Sequence, residues 1–340
     1  MPPIEALEPI VLTAQKWGTS FHIPLYLFLG GMAGGTLIVA ALADLLGGRD
    51  ERYQALSRIA VYITLPIITI GLLALTFHLG KPERGMLFPI FMTNYKSWLT
   101  IGGWVIAVFF PLNVVYAALW YFRMQRSTRV IVAALSIPVG VGMALYTGFL
   151  LSGTWSIPGG FWFTPLWDST YIPVLFLISG LSTALAACGL IALAADHLKL
   201  PGILGRELRG AGETAGPISL FDTLVIIIEA GWIYIMLVAF AAGTAGQQIV
   251  YKILTAGYLS PWFWWGVIAL ALALPFLASL GELFLVKVLH VHADWLLYVK
   301  FLMVLAGGLL LRYVIVWGGD IRKPLPFPPS HWPVNLYPGG

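Results

Sequence analysis

The sequence predicts an all-α integral membrane protein, and three observations lead to that fold class. Hydrophobic residues make up 59% of the 340-residue chain and charged residues only 10%, against about 25% charged residues in soluble domains. The mean hydropathy is +0.88. Apolar runs long enough for a bilayer, which takes about 20 helical residues, recur along the chain. A water-soluble fold could not cover this much apolar surface.

Eight apolar segments are long enough to be transmembrane helices. Prolines inside four of them are tolerated where neighbouring helices satisfy the freed carbonyl groups. The segment 245–258 is apolar but too short to cross a bilayer, so we predict that it lies at the membrane interface. The predicted spans are 21–46, 56–79, 98–122, 129–152, 171–195, 219–244, 260–286 and 295–317.

A similarity between two stretches predicts that the eight helices form two four-helix bundles. PLYLFLGGMAGG in the first span resembles PVLFLISGLSTA in the fifth, and an even number of spans separates them, so the two copies would be parallel. Shared apolar composition explains the similarity equally well. The predicted regions are an N-terminal segment 1–20, a first bundle 21–152, a second bundle with an outer loop 153–317, and a proline-rich arm 318–340.

Loop charges predict the orientation. The loops after spans one, three, five and seven carry ten Lys and Arg residues, and the opposite face carries seven. Because cytoplasmic loops are enriched in Lys and Arg, both termini are expected on the outer face. We call the end of the spans next to the ten residues the basic end. The basic residues lie in short loops between apolar runs, a pattern typical of a membrane protein, so no nucleic-acid partner is expected.

Four polar side chains from three spans lie near the end opposite the basic end. His22 and Tyr26 are four residues apart and share a face of the first helix, His78 closes the second span, and Tyr146 lies within two turns of the end of the fourth. Polar groups within a membrane are costly and often functional. Each one alone could equally anchor or cap a helix. Their common depth favours a single site.

A quinone is the ligand that such a site fits best. Its carbonyls accept hydrogen bonds from an imidazole and a phenol, and its chemistry needs groups that exchange protons. Haem b is the competing cofactor and usually takes two histidines well inside a bundle, whereas His22 and His78 are both near the rim. Cys188 is the single cysteine, and a thiolate-bound iron–sulfur cluster needs about four. Haem b therefore fits these residues less well than a quinone and stays the alternative cofactor, whereas a thiolate-bound iron–sulfur cluster is excluded.

Four glycines of the first span indicate close packing around this site. They form two overlapping G-x-x-x-G pairs, a spacing that allows close approach of a neighbouring helix or a flat ligand. The residues are Gly30, Gly31, Gly34 and Gly35.

Four ionisable residues in the last three spans have two interpretations. Asp222 and Glu229 are seven apart and share a helical face, while Glu282 and Lys300 lie in the seventh and eighth spans. They could form a proton path through the second bundle. Alternatively, Glu282 and Lys300 are one buried ion pair and Asp222 is an interfacial cap. Eight spans with a parallel repeat also fit a secondary transporter, although no charged cluster at the midplane and no paired unwound half-helices are evident.

Several stretches together indicate a family. YLFLGGMAGG in the first span, HLGKPERG after the second, YTGFLLS in the fourth, then Trp155 and PVLFLISGLS in the fifth resemble the NrfD/PsrC family over about residues 15–320. These are the quinone-binding membrane subunits of polysulfide reductase and related complexes. The resemblance implies two four-helix bundles in a prokaryotic cytoplasmic (inner) membrane, without haem or metal, and menaquinone or ubiquinone bound near the outer face.

The resemblance also implies a role and partners. The expected protein is a membrane anchor that oxidises or reduces quinone, without catalysis at a soluble substrate. It would exchange electrons with a peripheral subunit that carries four iron–sulfur clusters and serves a molybdopterin-type or other catalytic subunit. The long proline-rich tail and the charged fifth-to-sixth loop depart from the shortest family members, so the identity of the docked partner stays open.

Site residues carry over from the family by motif. The family site combines polar residues at the start of the first helix with a tyrosine in the fourth, which correspond here to His22, Tyr26 and Tyr146. His78, with the following Lys81, Glu83 and Arg84, is a weaker match in the loop between the second and third spans.

Overall fold

The computed structural model describes residues 21–48, 50–78, 97–152, 165–198, 212–288 and 294–320. These residues are mostly helical and contain no strand, and eight helices are long and apolar enough to cross a membrane, as the sequence predicts. The seventh span begins as a π-helix, Trp262–Ala273, and continues as α8. The α-helices are α1 His22–Leu46, α2 Glu51–His78, α3 Trp98–Tyr121, α4 Arg126–Ser152, α5 Ile172–Leu198, α6 Ala215–Ala242, α7 Ala245–Thr255, α8 Leu274–Val288 and α9 Asp294–Asp320.

The helix ends depart from the predicted spans by at most five residues, and the largest departure is at the start of α2. Helix α2 begins at Glu51 rather than at residue 56, because its first turn is polar and hydropathy does not register it. The short apolar segment contains a separate helix, α7, which is too short to cross a bilayer. Its first turn is closed by a capping box in which Thr244 and Gln247 bond to each other's backbone N–H groups. Its position at the membrane interface stays a prediction.

Helix α1 is the centre of the molecule, with 20 of its 25 residues buried. Its two glycine pairs contact different neighbours. A Cβ atom on Gly34 would lie 2.6 Å from the carbonyl oxygen of Gly140 in α4, and one on Gly35 would overlap the carbonyl of Gly180 in α5. The predicted close approach is therefore confirmed, and it serves two helices on two faces of α1.

The contact between α1 and α5 joins corresponding positions of the two similar stretches. Gly31 and Gly35 of α1 face Gly180 and Ala184 of α5, which occupy the same places in PLYLFLGGMAGG and PVLFLISGLSTA. However, α1 also contacts α9, α4 also contacts α5, and one hydrophobic core runs through both halves. The division into two four-helix bundles therefore stays a prediction.

A buried ion pair joins α1, α3 and α4 at the basic end. Arg129 donates two hydrogen bonds to the Asp44 carboxylate, at 3.3 and 3.4 Å, and Tyr116 donates a third at 3.1 Å. The Arg129 guanidinium also lies 3.6 Å from the ring centre of Trp120. Buried charges need this degree of pairing to offset their desolvation. We call these four residues the Asp44 cluster.

Candidate functional site

Two of the predicted site residues lie side by side near the end opposite the basic end. Tyr26 of α1 is fully buried and Tyr146 of α4 is 2% exposed. Their phenols are close enough to interact electrostatically. Each residue lies 20 positions from the basic end of its helix, which is about 30 Å at 1.5 Å per residue. The common depth inferred from the sequence therefore agrees with the structure, and we call these residues the phenol pair.

Glycines on two further helices lie beside the phenol pair, and one of them, Gly102, makes room for it. A Cβ atom on Gly71 of α2 would lie 3.7 Å from the Tyr26 ring, and one on Gly102 of α3 would overlap the Tyr146 ring. Neither glycine was among the residues predicted from the sequence. The signal available was a glycine in an apolar span at the depth of a functional tyrosine on another span. Helices α1 to α4 thus all contribute to this site.

The hydroxyl of Tyr26 makes no hydrogen bond within the part of the chain that the structure describes. It lies within hydrogen-bonding reach of the Tyr146 hydroxyl, although the two groups do not have the geometry of a hydrogen bond in this conformation. A buried hydroxyl without a partner costs about 1–3 kcal/mol, so native proteins rarely retain one without a reason. A ligand with a carbonyl oxygen would satisfy this hydroxyl.

The structure says less about the two histidines that were predicted to belong to the site. His22 is the first residue of α1, exposed, and one turn from Tyr26. His78 is the last residue of α2. Its side chain and the following Lys81, Glu83 and Arg84 lie outside the described residues, as do most of the loops 80–96 and 153–170. The structure therefore joins Tyr26 with Tyr146 and places His22 at the mouth of the same helix.

No three His, Cys, Asp or Glu side chains within the described ranges form a group that could hold a metal ion. Cys188 is buried in α5 as a free thiol. The chemistry that the phenol pair can perform is hydrogen bonding and proton exchange with a bound ligand.

The ion pair inferred from the sequence has a different partner. The Lys300 Nζ lies 3.1 Å from Oδ2 of Asp222, and no part of the Asp222 side chain is exposed. Glu282 instead accepts a hydrogen bond from Ser219 at 2.7 Å, and Ser219 also contacts Lys300 at 3.0 Å. The interpretation of Asp222 as an interfacial cap is therefore wrong, because Asp222 is the buried counter-ion of Lys300.

One buried cation was not predicted from the sequence. Arg312, in the middle of α9, is 1% exposed, donates to the carbonyl oxygen of Phe176 at 3.0 Å and lies 3.9 Å from the centre of that residue's ring. It interacts electrostatically with Glu229 of α6, which lines a small cavity together with Ser179 of α5. The signal was a lone Arg in the apolar run LLLRYVIV, a pattern typical of functional intramembrane charges.

Comparisons with known proteins agree with this architecture. A family model described as polysulphide reductase, NrfD, matches residues 13–323. A polysulfide reductase chain of Wolinella succinogenes is 28% identical over 337 residues, covering 90% of this chain and 98% of its own. Protein NrfD of Escherichia coli is 27% identical over 285 residues, 75% of this chain and 82% of its own. A putative dimethyl sulfoxide reductase membrane subunit of Halobacterium salinarum is 22% identical over 235 residues, 62% of this chain and 51% of its own.

Proposed function

The chain belongs to the NrfD family, and from that premise we propose that it is the membrane-anchor subunit of a respiratory oxidoreductase complex. In this proposal it binds menaquinone or ubiquinone at the phenol pair, oxidises or reduces it, and exchanges electrons with a peripheral iron–sulfur subunit. Catalysis on the soluble substrate belongs to a further subunit.

The hydroxyl of Tyr26, which has no hydrogen-bond partner among the described residues, is the observation that carries the quinone proposal. It is a fully buried donor beside a second phenol, in a region where Gly102 of α3 leaves room for the Tyr146 ring. Quinone carbonyls are acceptors without a proton of their own, so they match a phenol donor. The two tyrosines come from α1 and α4, and together they could orient a flat apolar ring.

Each residue of the site has a distinct task in this proposal. A bound quinone supplies the two-electron, two-proton redox chemistry. Tyr26 and Tyr146 hold its head group through hydrogen bonds and exclude water from it, because both phenols are enclosed by protein. His22, exposed at the mouth of α1, is placed to exchange a proton with the aqueous phase at that end.

The names of the relatives support the proposed partners. The polysulfide reductase chain and the putative dimethyl sulfoxide reductase subunit are both named as parts of larger reductases. We place a subunit with four iron–sulfur clusters over the loops 80–96 and 153–170, at the end where the phenol pair lies. A molybdopterin-type or other catalytic subunit would bind that subunit in turn. The predicted orientation puts this assembly on the outer face of a prokaryotic cytoplasmic membrane.

Extraction of lipids from the purified complex tests the quinone proposal most directly. We expect menaquinone or ubiquinone at about one molecule per chain, and we expect the amount to fall in a Tyr26→Phe, Tyr146→Phe double variant of normal expression. The double substitution keeps both rings and removes only the two hydroxyls. Quinone at the same level in the wild type, the double variant and a preparation of an unrelated membrane protein would contradict the proposed site.

A further inference from the structure

A groove opens on the surface of the second half near the basic end, between α6 and α8. It has a volume of about 520 Å³, and apolar residues form most of its wall. Clefts that bind ligands in proteins usually have about 300–1,000 Å³, with a mostly apolar lining and a few polar groups. The wall includes Gly216, Leu220 and Leu224 of α6 and Glu282 of α8. We call it the α6–α8 groove.

The α6–α8 groove runs from the basic end toward the middle of the membrane. Gly216 is the second residue of α6, and Leu224 lies eight residues further along the helix, which is about 12 Å at 1.5 Å per residue. Leu220 and Leu224 are both exposed, so this wall belongs to the lipid-facing surface of the chain. The direction of the groove is therefore that of an acyl chain in a bilayer, which lies along the spans.

Glu282 gives this apolar groove a negative charge. The carboxylate is half-buried and accepts one hydrogen bond from Ser219 at 2.7 Å. Lys300 interacts with Glu282 electrostatically but pairs with Asp222 at 3.1 Å, and none of the ion pairs among the described residues includes Glu282. Asp294, at the start of α9, adds a second negative charge nearby. Because a carboxylate in apolar surroundings is costly without a counter-charge, the groove favours a ligand with a cationic group.

Glu282 also lies at the depth where lipid headgroups are expected. A Cβ atom on the preceding residue, Gly281, would lie 3.5 Å from Cδ2 of Leu296, so Glu282 is close in depth to the first residues of α9. These include Trp295, whose side chain is 65% exposed. Exposed Trp side chains of membrane proteins concentrate at the level of the headgroups. A headgroup can therefore reach the Glu282 carboxylate, while the rest of the groove lies at the level of the acyl chains.

We propose that the α6–α8 groove binds one phosphatidylethanolamine molecule, with its ammonium group on Glu282 and one acyl chain along α6. The primary ammonium supplies the missing positive charge and, like that of a Lys side chain, three N–H donors for the carboxylate oxygens. The phosphate would face the loops of the basic end, which are rich in Lys and Arg. The groove is at the opposite end from the phenol pair, so this proposal does not depend on the quinone function.

The same features argue against other occupants of the groove. Phosphatidylcholine has a cation without an N–H donor, so it cannot hydrogen-bond to Glu282. Phosphatidylglycerol brings an anionic phosphate without a cation, and Glu282 and Asp294 repel it. A transmembrane helix of another subunit would need a matching surface along about 30 Å, whereas the α6–α8 groove extends over about 12 Å of α6.

Lipid binding to the full-length chain, purified in mild detergent with any bound subunits, tests the proposal. The protein is titrated with each of the three lipids, all with the same acyl chains, and bound lipids are counted by native mass spectrometry. We expect the first phosphatidylethanolamine to bind about tenfold more tightly than either other lipid. Glu282→Gln keeps the size of the side chain and an oxygen for Ser219 but removes the charge. In this variant the preference should fall to within about twofold.

A second variant fills the groove without changing any charge. The Cβ position of Gly216 has nothing within 4 Å, so the side chain in Gly216→Leu enters the open space of the groove without a clash. We expect it to lose the tight phosphatidylethanolamine site. Gly231→Leu is the matched control, because Gly231 is on the same helix, also has nothing within 4 Å of its Cβ position and lies outside the groove. It should bind as the wild type does.

Thermal stability gives an independent measurement on the same four proteins. A ligand that binds only the folded state raises its melting temperature. Replacing half of the phosphatidylglycerol in lipid nanodiscs by phosphatidylethanolamine should therefore raise the melting temperature of the wild type and of Gly231→Leu by several degrees. It should have little effect on Glu282→Gln and Gly216→Leu. If Glu282→Gln does not fold, the comparison of Gly216→Leu with Gly231→Leu decides.

Three results would overturn the proposal. The first is equal affinity of the wild type for the three lipids. The second is a preference for phosphatidylethanolamine that stays unchanged in Gly216→Leu. The third is a single-pass membrane protein that copurifies with the wild type and with Gly231→Leu but not with Gly216→Leu, since a helix and not a lipid would then occupy the groove.

Discussion

Each half of the molecule contains a buried ion pair near the basic end, and the two pairs have different surroundings. The Asp44 carboxylate receives three hydrogen bonds from Arg129 and Tyr116, and the Trp120 ring covers the guanidinium. The Asp222 carboxylate is shared between Lys300 and Ser182, and both of these lead to further polar groups. A buried ion pair whose hydrogen bonds all stay within one small cluster holds helices together. A pair that also bonds to further polar groups can transmit a proton.

The largest expected effect concerns the buried ion pair of Asp44 and Arg129. In Arg129→Met the Asp44 carboxylate stays buried without its cation, and loss of one partner of a buried pair costs about 3–5 kcal/mol. We expect a clear fall in the melting temperature of the detergent-purified protein, with unchanged quinone turnover per folded complex. The double variant Asp44→Leu, Arg129→Met should recover most of the stability, because similar apolar replacements of buried pairs are often neutral. Failure of the double variant to recover would mean that the Asp44 cluster does more than hold helices together.

The next effect concerns the room for the phenol pair. A Cβ at Gly102 would overlap the Tyr146 ring, so in Gly102→Ala the phenol must move away from its place. We expect binding of a soluble menaquinone analogue to the complex to weaken by about tenfold, which is about 1.4 kcal/mol. Gly142→Ala, on α4 with nothing within 4 Å of its Cβ position, is the control and should bind normally. Equal loss in both variants would point to a general effect of substituting helix glycines.

A smaller effect is expected when the Tyr146 hydroxyl is removed. Tyr146→Phe keeps the ring and its packing but deletes one donor, and such a hydrogen bond contributes about 0.5–1.5 kcal/mol. Quinone affinity or turnover should fall by about threefold to tenfold at normal expression. Tyr234→Phe, at a 69% exposed position of α6, is the matched control. Wild-type activity in Tyr146→Phe would remove this residue from the site.

The smallest effect concerns a hydroxyl at the middle of the first half. Thr64 donates to Thr36 at 2.8 Å and contacts the Ala60 carbonyl at 2.7 Å, so its hydrogen bonds stay within α1 and α2. Thr64→Val should cost about 1 kcal/mol of stability and leave turnover unchanged. Thermal unfolding and turnover measured on this variant check both expectations. A slower quinone reaction in Thr64→Val would indicate that this hydroxyl takes part in the reaction.

The sequence was sufficient to predict the helices and the depth of the phenol pair along them. Helix length and loop charge depend on runs of residues along the chain, and depth follows from counting residues along a helix of known rise. The same counting placed Tyr26 and Tyr146 at one level. The sequence also predicted that residues 245–258 form no further span, because so short a segment cannot cross a bilayer.

The sequence did not predict which ionisable side chains pair with each other across helices. Lys300 could have paired with Glu282 or Asp222, and the outcome depends on how α6, α8 and α9 are rotated about their axes. These helices are apolar on nearly all sides, so their hydrophobic pattern does not fix the rotation. Arg312 was missed for a related reason, since its carboxylate partner Glu229 is on another helix and nothing in the spacing joins them. The π-helix of the seventh span was equally invisible to hydropathy.

The two glycine faces of α1 have a consequence for biosynthesis. This helix is the first span to be translated, yet it is enclosed only when α4 and α5 have been made and have closed against its two faces. During elongation of roughly the next 80 residues, at about 5–20 residues per second, α1 must wait in the bilayer or beside the insertion machinery with the Asp44 carboxylate unpaired, because Tyr116 and Arg129 belong to α3 and α4. A ribosome stalled before α4 would thus leave the nascent polypeptide with an intramembrane carboxylate that lacks its cation, a feature that membrane quality control could detect.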